Sequence, residues 1–157
     1  MGVNNKVRFL SIFGLIPFVL SSFGVWFIPF NLPFEAVFML FFLYALMINS
    51  FLSGNLWAYN LQLRRTPLLP IIFFFIPIGV FAIVGFTAYQ AFQLQPLLGL
   101  STAFAFMLSY AGIYLYESRA QRYDDYYMRF RFLLTVIVIV CHVSWIVFFV
   151  RILSMIN

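Results

Sequence analysis

Five long apolar runs constrain the structure of this chain more than any other feature. They cover residues 9–27, 33–61, 68–91, 96–116 and 129–150. A helix needs about 20 apolar residues to cross the hydrocarbon core of a bilayer. Backbone groups find no water partner in lipid, so spanning segments of this length are helical. The sequence therefore predicts an all-α integral membrane protein, a single domain built as a bundle of five transmembrane helices.

The composition supports this interpretation. The chain has 157 residues, of which 65% are hydrophobic and 8% are charged, whereas soluble globular proteins carry about 25% charged residues. So few charges cannot cover a surface that faces water. The single cysteine, Cys141, excludes an internal disulfide and a multi-cysteine metal site.

Helix breakers fall between the apolar runs, at "IPFNLP", "RRTP" and "QLQP". Pro77 lies inside the third run, where it removes one backbone hydrogen bond and predicts a kink. Neighbouring helices of a membrane bundle can satisfy the carbonyl that such a proline leaves free.

Connections that carry basic residues alternate along the chain with connections that carry none. Basic residues occur before the first run, between the second and third, and between the fourth and fifth, followed by two more at the start of the fifth: Lys6, Arg8, Arg64, Arg65, Arg119, Arg122, Arg129 and Arg131. The other two connections carry none. The positive-inside rule then places the N-terminus in the cytoplasm and the C-terminus outside. We expect a multi-pass protein of a bacterial inner membrane, whose net charge of +5 reflects contacts with anionic lipids and no nucleic-acid partner.

A polar stretch, "NSFLSGNLWAYN", interrupts the second run. At 100° per residue, six of its residues fall within one arc of about 140° on the helix: Asn49, Ser50, Ser53, Gly54, Trp57 and Asn60. Ser50 and Gly54 form a small-xxx-small pair that would allow another helix to approach closely. Two interpretations remain open: helix packing with interhelical hydrogen bonds, or a polar cavity for a lipid or quinone headgroup or a water path.

His142 lies near the middle of the fifth run. An ionisable residue at that depth is a functional hypothesis by default, and an imidazole could ligate haem, bond a quinone carbonyl or relay a proton. It is the only histidine, so zinc and bis-histidine haem lack ligands within one chain. A structural hydrogen bond to Asn49 or Ser53 on another helix is the competing interpretation.

The connection before the fifth run carries both signs of charge. Asp124 and Asp125 could form a metal or acid–base pair, but carboxylates in this position typically cap a helix and complement its dipole. Arg129 and Arg131 alternate with aromatic residues, a pattern that is typical of the headgroup layer. Arg131 could also pair with Asp124 or Asp125. We expect Arg64 and Arg65 to contact headgroups in the same way.

Three short motifs resemble a known family. The chain contains an early "GLIPF", a central "SFLSGNLWA" after Tyr44, and a late "YYMRFRFLLT". Together, and in this order, they resemble the small membrane family that contains transmembrane protein 69. The departures from the family pattern are Ser53, Ala58, Tyr126 and Leu56, the last standing where a histidine is expected. The resemblance implies a five-helix bundle and no particular activity.

No nucleophile–base pair, phosphate loop or cluster of metal ligands is evident, so the sequence favours a non-enzymatic protein with no cofactor. We expect it to bind a lipid or quinone, or to serve as an accessory or assembly subunit of a membrane complex. Its partners would be membrane lipids, with association into a larger complex or with itself. The alternative is a small transporter or channel that uses the polar face of the second helix and His142.

Overall fold

The computed structural model describes residues 3–27, 34–66, 68–90, 95–120 and 125–156. Within this part of the chain there are five α-helices, which confirms the all-α prediction. They are α1 (Val3–Gly24), α2 (Phe34–Gln62), α3 (Leu68–Gln90), α4 (Gln95–Arg119) and α5 (Asp125–Ile156).

Three of the described helices are long and apolar enough to cross a membrane. The qualifying segments are Ala36–Gln62, Pro96–Arg119 and Asp125–Met155. The apolar parts of α1 and α3, Ser11–Gly24 and Leu68–Val84, are shorter.

The boundaries differ most from the predicted ones in α1 and α5. We expected α5 at residues 129–150, and it extends from Asp125 to Ile156. The additional residues, 125–128 and 151–156, mix charged, polar, aromatic and aliphatic side chains. Hydropathy marks only the apolar part of a helix, whereas backbone hydrogen bonds continue through any residue that tolerates helical geometry.

The helices pack around the bundle in chain order. Each is in contact with its sequence neighbours, α1 closes the ring against α5, and α2 also packs against α4. The backbones of α2 and α5 stay apart, and large rings fill the space between them. Phe41 lies 4.8 Å from His142 and Phe38 lies 5.2 Å from Trp145, measured between ring centroids.

Every packed pair of helices is also joined by an interhelical hydrogen bond from a side chain. The bonds are Tyr44 to Gly14 O, Ser144 to Ser22 O, Asn49 to Phe73 O, Ser109 to Phe73 O, Tyr110 to Ala45 O, Tyr116 to Asn60 Oδ1 and Arg131 to Glu117. Such bonds contribute about 0.6 kcal/mol each in membrane bundles. Their distribution over all the packed pairs fixes the register of each helix against its neighbours.

Pro77 explains why Phe73 receives two of these bonds. A proline has no N–H, so the carbonyl four residues earlier has no partner within its own helix. Asn49 Nδ2 donates to Phe73 O at 3.0 Å, and Ser109 Oγ lies 2.6 Å from the same oxygen and 2.8 Å from Asn49 Oδ1. The neighbouring helices therefore satisfy the carbonyl that Pro77 leaves free.

The C-terminus of α2 is a Schellman motif. Arg65 N donates to Asn60 O at 2.9 Å and Arg64 N donates to Leu61 O at 3.0 Å. This pattern needs a left-handed residue after the helix, and Arg64 adopts it with φ 53°. The position usually belongs to glycine, because a side chain there costs about 1 kcal/mol.

Close helix approaches occur at two glycines of α4. A Cβ atom built on Gly99 would overlap the ring of Phe149 on α5, and one on Gly112 would lie 2.5 Å from Phe73 Cε1 on α3. The prediction for Ser50 and Gly54 was wrong, because no described atom outside the local backbone lies within 4 Å of a Cβ at Gly54. Small residues therefore mark close packing on α4, whereas Ser50 and Gly54 of α2 face outward.

Candidate ligand-binding site

A cavity of about 400 Å³ lies between α1, α2 and α5. Its volume is within the range of small-molecule sites, about 300–1,000 Å³. The lining residues are Ser11, Phe13, Gly14, Leu15, Phe18, Ile48, Phe51, Leu52, Tyr110, Tyr127, Arg131, Leu134, Thr135 and Val138. Most are apolar, and five carry an aromatic ring.

The polar side chains lie mainly toward one end of the cavity. Arg131 and Tyr127 belong to the first two turns of α5, and Ser11 belongs to the first half of α1. Val138, seven residues after Arg131, lies about 10 Å further along α5. The cavity thus has a polar end near the start of α5 and an apolar end deeper in the bundle.

Two exposed rings border the opening. Phe13 of α1 is 52% exposed and Phe51 of α2 is 69% exposed, whereas Phe18 and Tyr110 are buried deeper inside. The cavity therefore opens to the side of the bundle between α1 and α2.

Arg131 is held by Glu117. Its Nε donates to Glu117 Oε2 at 2.9 Å, and the two side chains are 12% and 3% exposed. The predicted pairing with Asp125 was wrong: Asp125 is exposed at the start of α5, while Glu117 is buried on the last turns of α4. Asp124, the other predicted partner, lies outside the described residues.

Sequence reasoning missed Glu117. The signal that could have identified it is an acidic residue directly after the apolar run that ends at Tyr116, where an unpaired carboxylate would be costly. Its partner depends on how α4 and α5 pack.

The predicted polar face of α2 divides into two surfaces. Asn49, Ser53 and Asn60 are buried, and they share their face with buried Leu56. Ser50, Gly54 and Trp57 are exposed on the neighbouring face, with Trp57 at 45%. Inward burial, as predicted, holds for the first three and is wrong for the last three.

The exposed surface of α2 borders a shallow second groove of about 320 Å³ against α3. Ser50, Ser53, Gly54 and Trp57 line one side, and Pro70, Ile71, Phe74 and Phe75 line the other. This groove is open along its length and separate from the first cavity, with no lining residue in common.

His142 lies inside the bundle, as predicted, and is completely buried. The prediction that His142 forms a hydrogen bond with Asn49 or Ser53 was wrong. Its Nδ1 lies 2.8 Å from Val138 O on its own helix, so Nδ1 carries the proton and Nε2 is an acceptor. Among the described residues Nε2 has no hydrogen-bond partner. The rings of Phe18, Phe41, Phe106 and Tyr110 surround the imidazole.

The remaining predicted contact residues lie on the surface. Arg64, Arg65 and Arg129 are exposed, and their contact with headgroups stays a prediction. Within the described part of the chain, no group of three histidine, cysteine or acidic residues could hold a metal ion.

A family model described as "Protein of unknown function (DUF3429)" matches residues 3–147. No curated protein and no solved structure matches the chain.

Proposed function

The chain belongs to the DUF3429 family, and we propose that this member is a non-enzymatic membrane protein that binds a lipid-like molecule in the cavity between α1, α2 and α5. The observation that carries the proposal is the cavity itself, which combines an apolar, ring-lined interior with a polar end at Arg131.

The distribution of side chains supports a membrane setting. Large apolar residues are strongly exposed on several helices, including Leu20 at 67%, Leu40 at 69% and Ile83 at 70%. The interior contains buried polar groups such as Asn49, Ser109 and Glu117. A surface more apolar than its core matches a lipid solvent. In this proposal all five helices span the membrane, with the N-terminus in the cytoplasm of a bacterium.

In that orientation the polar end of the cavity lies on the cytoplasmic side of the membrane. With the N-terminus inside, the starts of α1 and α5 and the ends of α2 and α4 lie near the cytoplasmic leaflet. Arg131 would then lie near the headgroup layer, and the apolar end of the cavity would lie at acyl-chain depth.

Residues from all three motifs that resemble the transmembrane protein 69 family meet at the cavity, which supports the proposal that it is a binding site. Gly14, Phe18, Phe51, Leu52, Tyr127, Arg131, Leu134 and Thr135 all belong to these motifs and line the cavity. Membership of that family is part of the proposal.

The test is purification in mild detergent followed by mass spectrometry of copurified small molecules. Leu52→Trp fills the cavity from α2 and should reduce the bound amphiphile several-fold. Leu43→Trp, on the exposed opposite face of the same helix, is the matched control and should retain it. Equal retention by the two variants would contradict the proposal, and recovery of a stoichiometric partner protein instead would favour an accessory subunit.

A further inference from the structure

The charge arrangement at the polar end of the cavity restricts the class of ligand. Arg131 is the only charged residue among the described residues that line the cavity, and its charge is compensated by Glu117 at 2.9 Å. The pair is neutral as a unit. Bringing an anionic headgroup beside it would leave a net negative charge in a poorly solvated site, which is unfavourable.

From this compensation, and resting on the proposed function, we infer that the cavity binds an uncharged amphiphile whose headgroup presents a carbonyl oxygen to Arg131. A guanidinium has five N–H donors, and the bond to Glu117 uses the one on Nε. An uncharged carbonyl can accept from such a donor without disturbing the balance of charge in the pair.

The lining also fits this chemistry. Thr135 and Tyr127 add hydroxyl groups to the lining, that of Thr135 donating to Arg131 O at 3.0 Å, and the rings of Phe13, Phe18 and Tyr110 also line the cavity. Flat rings pack favourably against a planar headgroup. A quinone offers both the carbonyl and the ring, whereas a diacylglycerol offers ester carbonyls without a ring.

Other arginines of the chain contrast with Arg131. Arg64, Arg65, Arg119 and Arg129 are exposed, where they suit lipid phosphates. Anionic lipid should therefore associate with the surface, and the cavity should select an uncharged molecule.

The experiment titrates the full chain in detergent with three probes, namely decylubiquinone, dioleoylglycerol and dioleoylphosphatidylglycerol, and follows binding by native mass spectrometry. Probe binding that is lost in the Leu52→Trp variant is binding in the cavity. We expect an uncharged probe to bind in the cavity, and the anionic lipid to bind there at least about tenfold more weakly. The two uncharged probes distinguish a quinone from an acylglycerol.

Two variants test the role of the ion pair. The double variant Arg131→Leu/Glu117→Leu removes both charges and should weaken cavity binding of the uncharged probe about tenfold or more, whereas Arg129→Leu should not. Glu117→Gln leaves Arg131 uncompensated and should shift the cavity toward the anionic lipid. Where a variant does not fold, the selectivity of the unmodified protein among the three probes still tests the inference.

Cavity binding of phosphatidylglycerol as tight as that of the uncharged probes in the unmodified protein would overturn this inference and leave the proposed function intact. Binding of all three probes that Leu52→Trp does not change would overturn the proposed function as well.

Discussion

Arg131 of α5 donates from Nε to Glu117 Oε2 of α4 at 2.9 Å, and this ion pair joins the two helices beside the cavity. Both side chains are largely removed from solvent, so removing one partner leaves the other charge without compensation. We expect Arg131→Leu to lower the free energy of unfolding by about 3 kcal/mol.

The double variant Arg131→Leu/Glu117→Leu should be less destabilised than Arg131→Leu, because it leaves no buried charge. Thermal unfolding in detergent, measured for both variants and for Arg129→Leu, checks this order. A double variant at least as unstable as the single one would mean that Glu117 contributes through other contacts.

Asn49 and Pro77 should be energetically coupled through Phe73 O. Asn49→Leu removes a donor to that carbonyl and should lower stability by about 1–2 kcal/mol, whereas Ser50→Leu on the exposed face should have little effect. Pro77→Ala restores the N–H within α3. The cost of Asn49→Leu should therefore be smaller in a Pro77→Ala background, and a double-mutant cycle of unfolding free energies measures the difference. If Asn49→Leu lowered the unfolding free energy equally in both backgrounds, Asn49 would not be satisfying the carbonyl that Pro77 leaves free.

Two glycines should respond differently to a single methyl group. Gly99→Ala places its Cβ into the ring of Phe149, which is buried and has little room to move, so we expect a loss of about 1–3 kcal/mol. Gly54→Ala meets open space and should be neutral or slightly stabilising through its helix propensity. Melting temperatures of the two variants provide the comparison, and a reversed order would mean that α2 makes the close helix contact.

Arg64→Gly should increase stability. Arg64 has a positive φ in the Schellman motif, and glycine adopts that conformation without the clash of a Cβ atom. We expect a gain of about 0.5–1 kcal/mol, reduced by the lost contact if the guanidinium binds lipid phosphate. Arg65→Gly, one residue later, is the control and should not stabilise.

The sequence predicted the helices well because long apolar runs leave a chain few alternatives. It predicted the inward face of α2 only in part. Asn49, Ser53 and Asn60 fall within about 40° of one direction on a helical projection, while Ser50, Gly54 and Trp57 lie about 80–140° away from Asn49. Polarity alone does not indicate which part of so broad an arc faces the interior.

The cavity and the Arg131–Glu117 pair could not be predicted from the sequence. Residues from α1, α2, α4 and α5 line the cavity, so it exists only after these helices have packed. His142 was misassigned for a related reason. A histidine Nδ1 can bond the carbonyl four residues earlier on its own helix, and periodicity alone does not separate that bond from an interhelical one.

Photocrosslinking from a cavity position tests the account most directly. A benzoylphenylalanine replaces Tyr127, which lines the cavity and already carries a ring, or its neighbour Tyr126, which is 51% exposed; both variants are irradiated in native membranes, and their adducts are identified by mass spectrometry. We predict that position 127 captures one enriched class of uncharged amphiphile, while position 126 captures a mixture that follows the bulk lipid composition. The same bulk mixture at both positions would contradict the existence of a selective site.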